Sequence, residues 1–132
     1  MTRWLGAVAG GLFLATLPYW RFVPLGGALA PHMDHEPRHG GQLGMVGEHH
    51  IEVVRRRGQV EVFVSDAVRR ELRPQRGWLV FDRSATAPLA WEDHRLVGPD
   101  RGDAREIEAR VVLPDTGELA IGFDFTDDAI QR

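Results

Sequence analysis

The sequence predicts an all-β fold: a small seven-stranded immunoglobulin-like β-sandwich after an N-terminal apolar leader helix. Two observations predict the sandwich. Apolar and polar residues alternate through most of the chain after residue 41, and turn residues interrupt that alternation at short intervals. A third predicts the leader, because the most apolar stretch sits at the N-terminus behind a single Arg. At 132 residues and 43% hydrophobic, the chain has room for one domain with one core.

Residues 1–30 read as a targeting segment. Arg3 supplies a positive start, Trp4 to Leu17 is uncharged, and Ala28-Leu29-Ala30 has the small-x-small pattern of a cleavage site. Pro31 directly after Ala30 disfavours cleavage there, so an earlier site, such as after Ala28, is an alternative. The stretch 4–20 is at the short limit for a membrane span, and Arg21 closes it. Two roles stay open: a cleaved signal peptide, or an anchor retained in the inner membrane. Residues 31–41 follow as a His/Met-rich loop, since Pro37 and Gly40-Gly41 oppose a helix.

Residues 42–126 carry the sandwich, with strands expected at 42–46, 49–55, 60–64, 78–82, 89–91, 107–113 and 119–125. Gly47-Glu48 and Arg57-Gly58 read as turns, and Pro114-Asp115-Thr116-Gly117 as a hairpin connection. Around it Ile107, Ala109, Val111 and Leu113 should face inward, with Leu119, Ile121, Phe123 and Phe125. Trp78, Phe81 and Trp91 read as core or half-buried sheet residues. Residues 66–72 have room for one turn, and 127–132 form a tail. Arg55-Arg56-Arg57 and Arg69-Arg70 read as solvated turns balanced by nearby acids.

Composition excludes several functions. The formal net charge is -3 and every basic residue is Arg, with no basic stripe, which argues against nucleic acid as a partner. There is no Cys, hence no disulfide and no thiolate ligand. Ser65 and Ser84 are the only serines, and neither stands in a nucleophile motif. Asp115-Thr116-Gly117 matches the core of an aspartic protease motif, but such enzymes pair two carboxylates, and a hairpin turn explains these residues. The chain is not expected to be an enzyme.

One cluster points to chemistry. Five of the six histidines, His32, His35, His39, His49 and His50, fall within nineteen residues, with Met33 and Met45 among them. Imidazole and thioether are neutral ligands for late first-row metals. The mixture favours a copper ion, Met for Cu(I) and His for Cu(II), with zinc as second choice. Gly40 and Gly41 permit a tight coordination turn. If Gly47-Glu48 is a two-residue hairpin loop, Val46 opposes His49, Met45 opposes His50, Gly44 opposes Ile51 and Leu43 opposes Glu52. Met45 and His50 then share one face, and His49 points to the other. The candidate ligands are His32, Met33, His35, His39, Met45 and His50. The competing explanation is a solvated His-rich spacer, with Met45 filling the core and His50 on its rim. His94, in a polar patch after an apolar strand, reads as a surface or turn residue.

His32-Met33-Asp34-His35, His39-Gly40-Gly41, His50-x-Glu52 and Val60-x-Val-x-Val-Ser-Asp66, with Arg69-Arg70 and Pro74, resemble small exported proteins found with heavy-metal efflux and copper-resistance systems. The resemblance covers roughly residues 32–79. It implies an exported, metal-associated β domain, and carries over His35, His39 and His50, with Met33 and Met45 as thioether ligands. Glu48-His49 and the C-terminal third depart from it. The expected function is periplasmic copper binding that buffers the ion or delivers it to an efflux adaptor or pump, touching the membrane only through an uncleaved leader. The alternative is a metal-independent β-sandwich interaction module docking on a membrane complex.

Overall fold

The alternation becomes eight antiparallel strands: β1 (Gln42–Val46), β2 (His49–Arg56), β3 (Gln59–Ser65), β4 (Arg76–Phe81), β5 (Ala85–Glu92), β6 (Arg95–Pro99), β7 (Glu106–Leu113) and β8 (Gly117–Asp124). The structure, a computed structural model, describes residues 34–126, and all eight strands belong to the unit that begins at His35. The leader at 1–30, His32, Met33 and the tail at 127–132 lie outside the described residues. Among those described, no helix is long and apolar enough to cross a membrane.

The strands form one sheet in the order β1-β2-β3-β6-β5-β4-β7-β8. β5 pairs with β4 through residues 85–89 and with β6 through 90–92. It therefore passes from one layer to the other, as strands do at the corner of a rolled sheet. At the two ends of the order, β1 and β8 approach each other. Gln42 Nε2 donates to the Asp124 carbonyl at 2.9 Å, and Gly44 lies so close to the Ile121 side chain that no Cβ would fit without a shift. The sheet nearly closes on itself.

This corrects the expected seven-stranded immunoglobulin-like sandwich: there are eight strands, in one rolled sheet rather than two. The strand not foreseen is β6. It turns only Leu96 and Gly98 inward and ends on Pro99, so its alternation is too short to register. The turn before it, Asp93-His94, has both residues at positive φ, 48° and 66°, which Asp and His tolerate better than most side chains. β5 is longer than the expected 89–91 because Pro88, exposed, is accommodated within it.

The core is the inner face of the roll: Ile51, Val53, Val60, Val62, Leu79, Phe81, Ile107, Ala109 and Val111 are all essentially inaccessible. Burial of each larger side chain contributes roughly 1.5–3 kcal/mol. The β7–β8 hairpin turns at 114–116 in the expected register, with Leu113 opposite Gly117 and Val111 opposite Leu119. Its inward residues are buried except Ile121, which is half-buried at the β1–β8 seam. The Gly47-Glu48 hairpin also has the expected register, including Met45 opposite His50.

β2 breaks the one-sided pattern. Residues 50–54 are buried on both faces. Ile51 and Val53 face the core, while His50, Glu52 and Val54 face outward and are covered by residues 35–41, which run over the sheet as a strap. Gly41 is where the strap meets β2: a Cβ there would overlap the Val53 carbonyl and the Val54 side chain.

Candidate functional site

Glu52 holds the strap down. Its carboxylate is almost fully buried and accepts the backbone N–H groups of Arg38 (3.0 Å), His39 (2.9 Å) and Gly41 (3.0 Å). His39 Nδ1 lies 3.0 Å from its Oε1, and the His39 ring stacks on Phe63 with centroids 3.6 Å apart. Burial pushes the Glu52 pKa up, but the bonds from Gly41, the His39 imidazole, Arg38 and the His39 amide outweigh it. The net pKa lies below the ordinary carboxylate value. A depressed folded-state pKa stabilises the fold above the unfolded value, about 4.3, and that stability is lost as pH falls through the folded pKa. Metal-free protein should therefore lose urea resistance as pH falls below about 4.3, and Glu52→Gln should flatten that dependence relative to wild type. Parallel pH profiles for the two proteins would remove Glu52 from this role.

His50 stands two residues back on the same outward face of β2. It has no accessible surface. Its Nδ1 is 3.0 Å from the Asp66 carbonyl. A carbonyl only accepts, so Nδ1 carries the hydrogen, and in the neutral ring the lone pair falls on Nε2. Nε2 is buried and has no hydrogen-bond partner among the described residues. An imidazole buried this way is uncommon in a packed protein, because an unpaired buried polar atom costs about 1–3 kcal/mol.

Asp66 is itself fixed. Its carboxylate accepts the N–H groups of Val68 and Arg70 and the Nε of Arg70, closing the single turn expected after β3. His35, exposed on the strap, brings its ring centroid to 5.8 Å from that of His50. Met45 lies directly opposite His50 on β1, and Ser65 opposite it on β3. Directly opposed residues share a face, with Cβ atoms about 4.5–5.5 Å apart.

The structure thus brings His50, His35 and Met45 together. It places His39 with Glu52 and Phe63 instead. His32 and Met33 lie outside the described residues. His49 takes the opposite face of β2, as the alternation required, and lines an open cavity of about 280 Å³ with Asp66, Leu72, Arg73 and the turn 113–116. Asp115 is a hairpin residue there. His50 is not on a rim, as the core-filling explanation had it, but fully buried. Among the described residues, no three His, Asp or Glu side chains converge as a metal-binding group.

Sequence reasoning did not foresee the anchoring role of Glu52. Its signal was an acid in the middle of an otherwise apolar strand, Ile51-Glu52-Val53-Val54. Nor did it foresee the partner of His94, whose Nδ1 lies 2.9 Å from Glu71 Oε2. The hydrogen bond and negative charge of Glu71 raise the His94 pKa above its ordinary value. His94 is otherwise the exposed turn residue expected.

Fold and site together define an antiparallel all-β chain with a strap-covered, histidine-bearing outer face. No protein-family model, curated protein or solved structure matches the chain.

Proposed function

We propose that the chain is an exported copper-binding protein that holds Cu(I) between His50, His35 and Met45. The observation that carries this reading is the buried Nε2 of His50, which has no hydrogen-bond partner among the described residues. An imidazole whose other nitrogen is fixed by a backbone carbonyl has the orientation and tautomer of a metal ligand. A thioether and two imidazoles form a neutral, soft-to-borderline set, which suits Cu(I) better than Zn²⁺. Zinc favours four ligands, commonly with a carboxylate or thiolate. His35 lies on the exposed side of the site, so a partner offering further ligands can displace it and take the ion. The apolar leader, and the likeness to exported proteins of heavy-metal efflux systems, support a periplasmic buffer or donor for an efflux adaptor or pump.

The test is metal analysis of the protein purified from the exported fraction, followed by competition titration with Cu(I), Cu(II) and Zn(II). One Cu(I) per chain, bound more tightly than Zn(II) to the His50 site, is expected. No copper in the purified protein and no Cu(I) affinity above that of a generic histidine tract would leave the metal-independent interaction module instead.

A further inference from the structure

His50 has no accessible surface, so nothing reaches its Nε2 while residues 35–41 lie over it. Residues 35–40 are themselves exposed, which makes the cover one chain thick. Its main hold is a single carboxylate. Glu52 receives the N–H groups of Arg38, His39 and Gly41 and the His39 imidazole, all at 2.9–3.0 Å. The bonds from Arg56 to the His39 carbonyl and from Arg69 to the Glu36 carbonyl lie at the surface, where water replaces them at little cost. Bonds that converge on one group break together, so this segment opens as a unit. Gly40 has a φ of 81° with open space around it, a backbone state that glycine holds without strain. It forms the pivot where the strap leads into β1.

We infer that the strap is a gate over His50 and that Glu52 is its latch, a positioning residue that sets how fast an ion enters and leaves. Two opposed effects poise the gate. Closing it makes the bonds at Glu52 and strips water from His50 Nε2, which finds no hydrogen-bond partner among the described residues. Lifting it reverses both, so opening costs less than the carboxylate bonds alone would require. An ion on Nε2 that also takes His35, whose ring centroid is 5.8 Å away, ties the strap down at its other end. Loading thus holds the gate shut, and release begins at His35, where the strap is exposed. The purpose of the gate rests on the proposed copper site; the closed strap does not.

The experiment separates the two and uses the full chain, first without metal. Hydrogen exchange at the Arg38 and His39 amides and diethyl pyrocarbonate labelling of His50 both report opening. In wild type, His50 should label at least about tenfold more slowly than the exposed His35. Glu52→Gln should speed both exchange and labelling about tenfold or more, because it weakens a set of charge-assisted bonds. Gly40→Ala keeps Glu52 and every ligand, and its Cβ meets nothing within 4 Å. It strains only the closed turn and should speed both about fivefold. The Leu79 and Ala109 amides, in the core strands, should stay slow in both variants, which distinguishes a lifted strap from a loosened fold. Release of Cu(I) to a chelator should quicken by the same factors. His50 labelling as fast as His35 in wild type, or labelling unchanged in variants whose Arg38 and His39 amides exchange faster, overturns the gate. The expected metal-free results with no Cu(I) bound support the gate and overturn the copper site instead.

Discussion

Replacing His50 with Asn should lower Cu(I) affinity by at least about tenfold in a chelator competition, the loss expected when a metal loses a principal ligand or its orienting partner. Asn is chosen because its amide nitrogen occupies nearly the position of Nδ1 and can still donate to the Asp66 carbonyl, 3.0 Å from Nδ1 in the native side chain. The substitution removes Nε2 and little else. His49→Ala is the matched control, because alternation turns His49 to the opposite face of β2, into the cavity at the end of the roll. It should change copper affinity little. His35→Ala should fall between them, since His35 sits beside His50 but is exposed. Small and equal losses for His50→Asn and His49→Ala would reduce the cluster to a non-specific histidine tract, and the copper reading would go with it.

The second large effect concerns the fold. Asp100→Ala should destabilise the protein by about 3–5 kcal/mol, because it leaves a buried guanidinium without its counter-charge. Arg55 and Asp100 side chains are only 6% and 4% exposed. Arg55 donates to both carboxylate oxygens, Nε to Oδ2 at 3.0 Å and Nη2 to Oδ1 at 2.9 Å. It also donates to the carbonyls of Ala104 at 2.7 Å and Arg101 at 2.8 Å, and lies over the Phe125 ring at 5.2 Å. One side chain thereby ties β2 to the connection between β6 and β7 and closes one end of the roll. The double variant Arg55→Met/Asp100→Ala should cost less than the two single changes added, because it removes both charges. Urea unfolding reads both outcomes. A cost below about 1 kcal/mol for Asp100→Ala would place the pair in the weak class of solvent-exposed bridges.

Arg55 also shows why sequence reading stopped where it did. In Arg55-Arg56-Arg57 all three residues look like a solvated turn. Arg57 is, at a positive φ of 46° beside Gly58. Arg55 continues the inward alternation of Ile51 and Val53, and its partner Asp100 is 45 positions away. No local pattern distinguishes an Arg that will meet a buried carboxylate from one that will meet water. Glu52 is a parallel case. Its burial follows from the strap crossing β2, and the strap has neither alternation nor helical period to announce its path.

His39 makes the same point within the candidate site. Spacing alone grouped it with His35, four residues earlier. The structure directs His35 toward His50 and commits His39 to Glu52 and Phe63. The loop conformation is set by hydrogen bonds to a distant carboxylate, so sequence distance within it does not predict spatial distance.

What the sequence by itself determined is local. Period-two alternation set the all-β class and the inward faces of β7 and β8, because side chains on a strand alternate between two faces. The Gly47-Glu48 loop set the β1–β2 register, and with it the pairing of Met45 with His50 and the turning away of His49. Only the tertiary structure decided that one sheet rolls nearly shut instead of splitting into two, since that depends on β5 changing partners midway and on β1 meeting β8. It alone decided which histidines are neighbours, which carboxylates are buried, and that one imidazole nitrogen is buried without a partner among the described residues. Those outcomes rest on contacts between residues far apart in the chain, and such contacts exist only once the whole sheet has closed around its core.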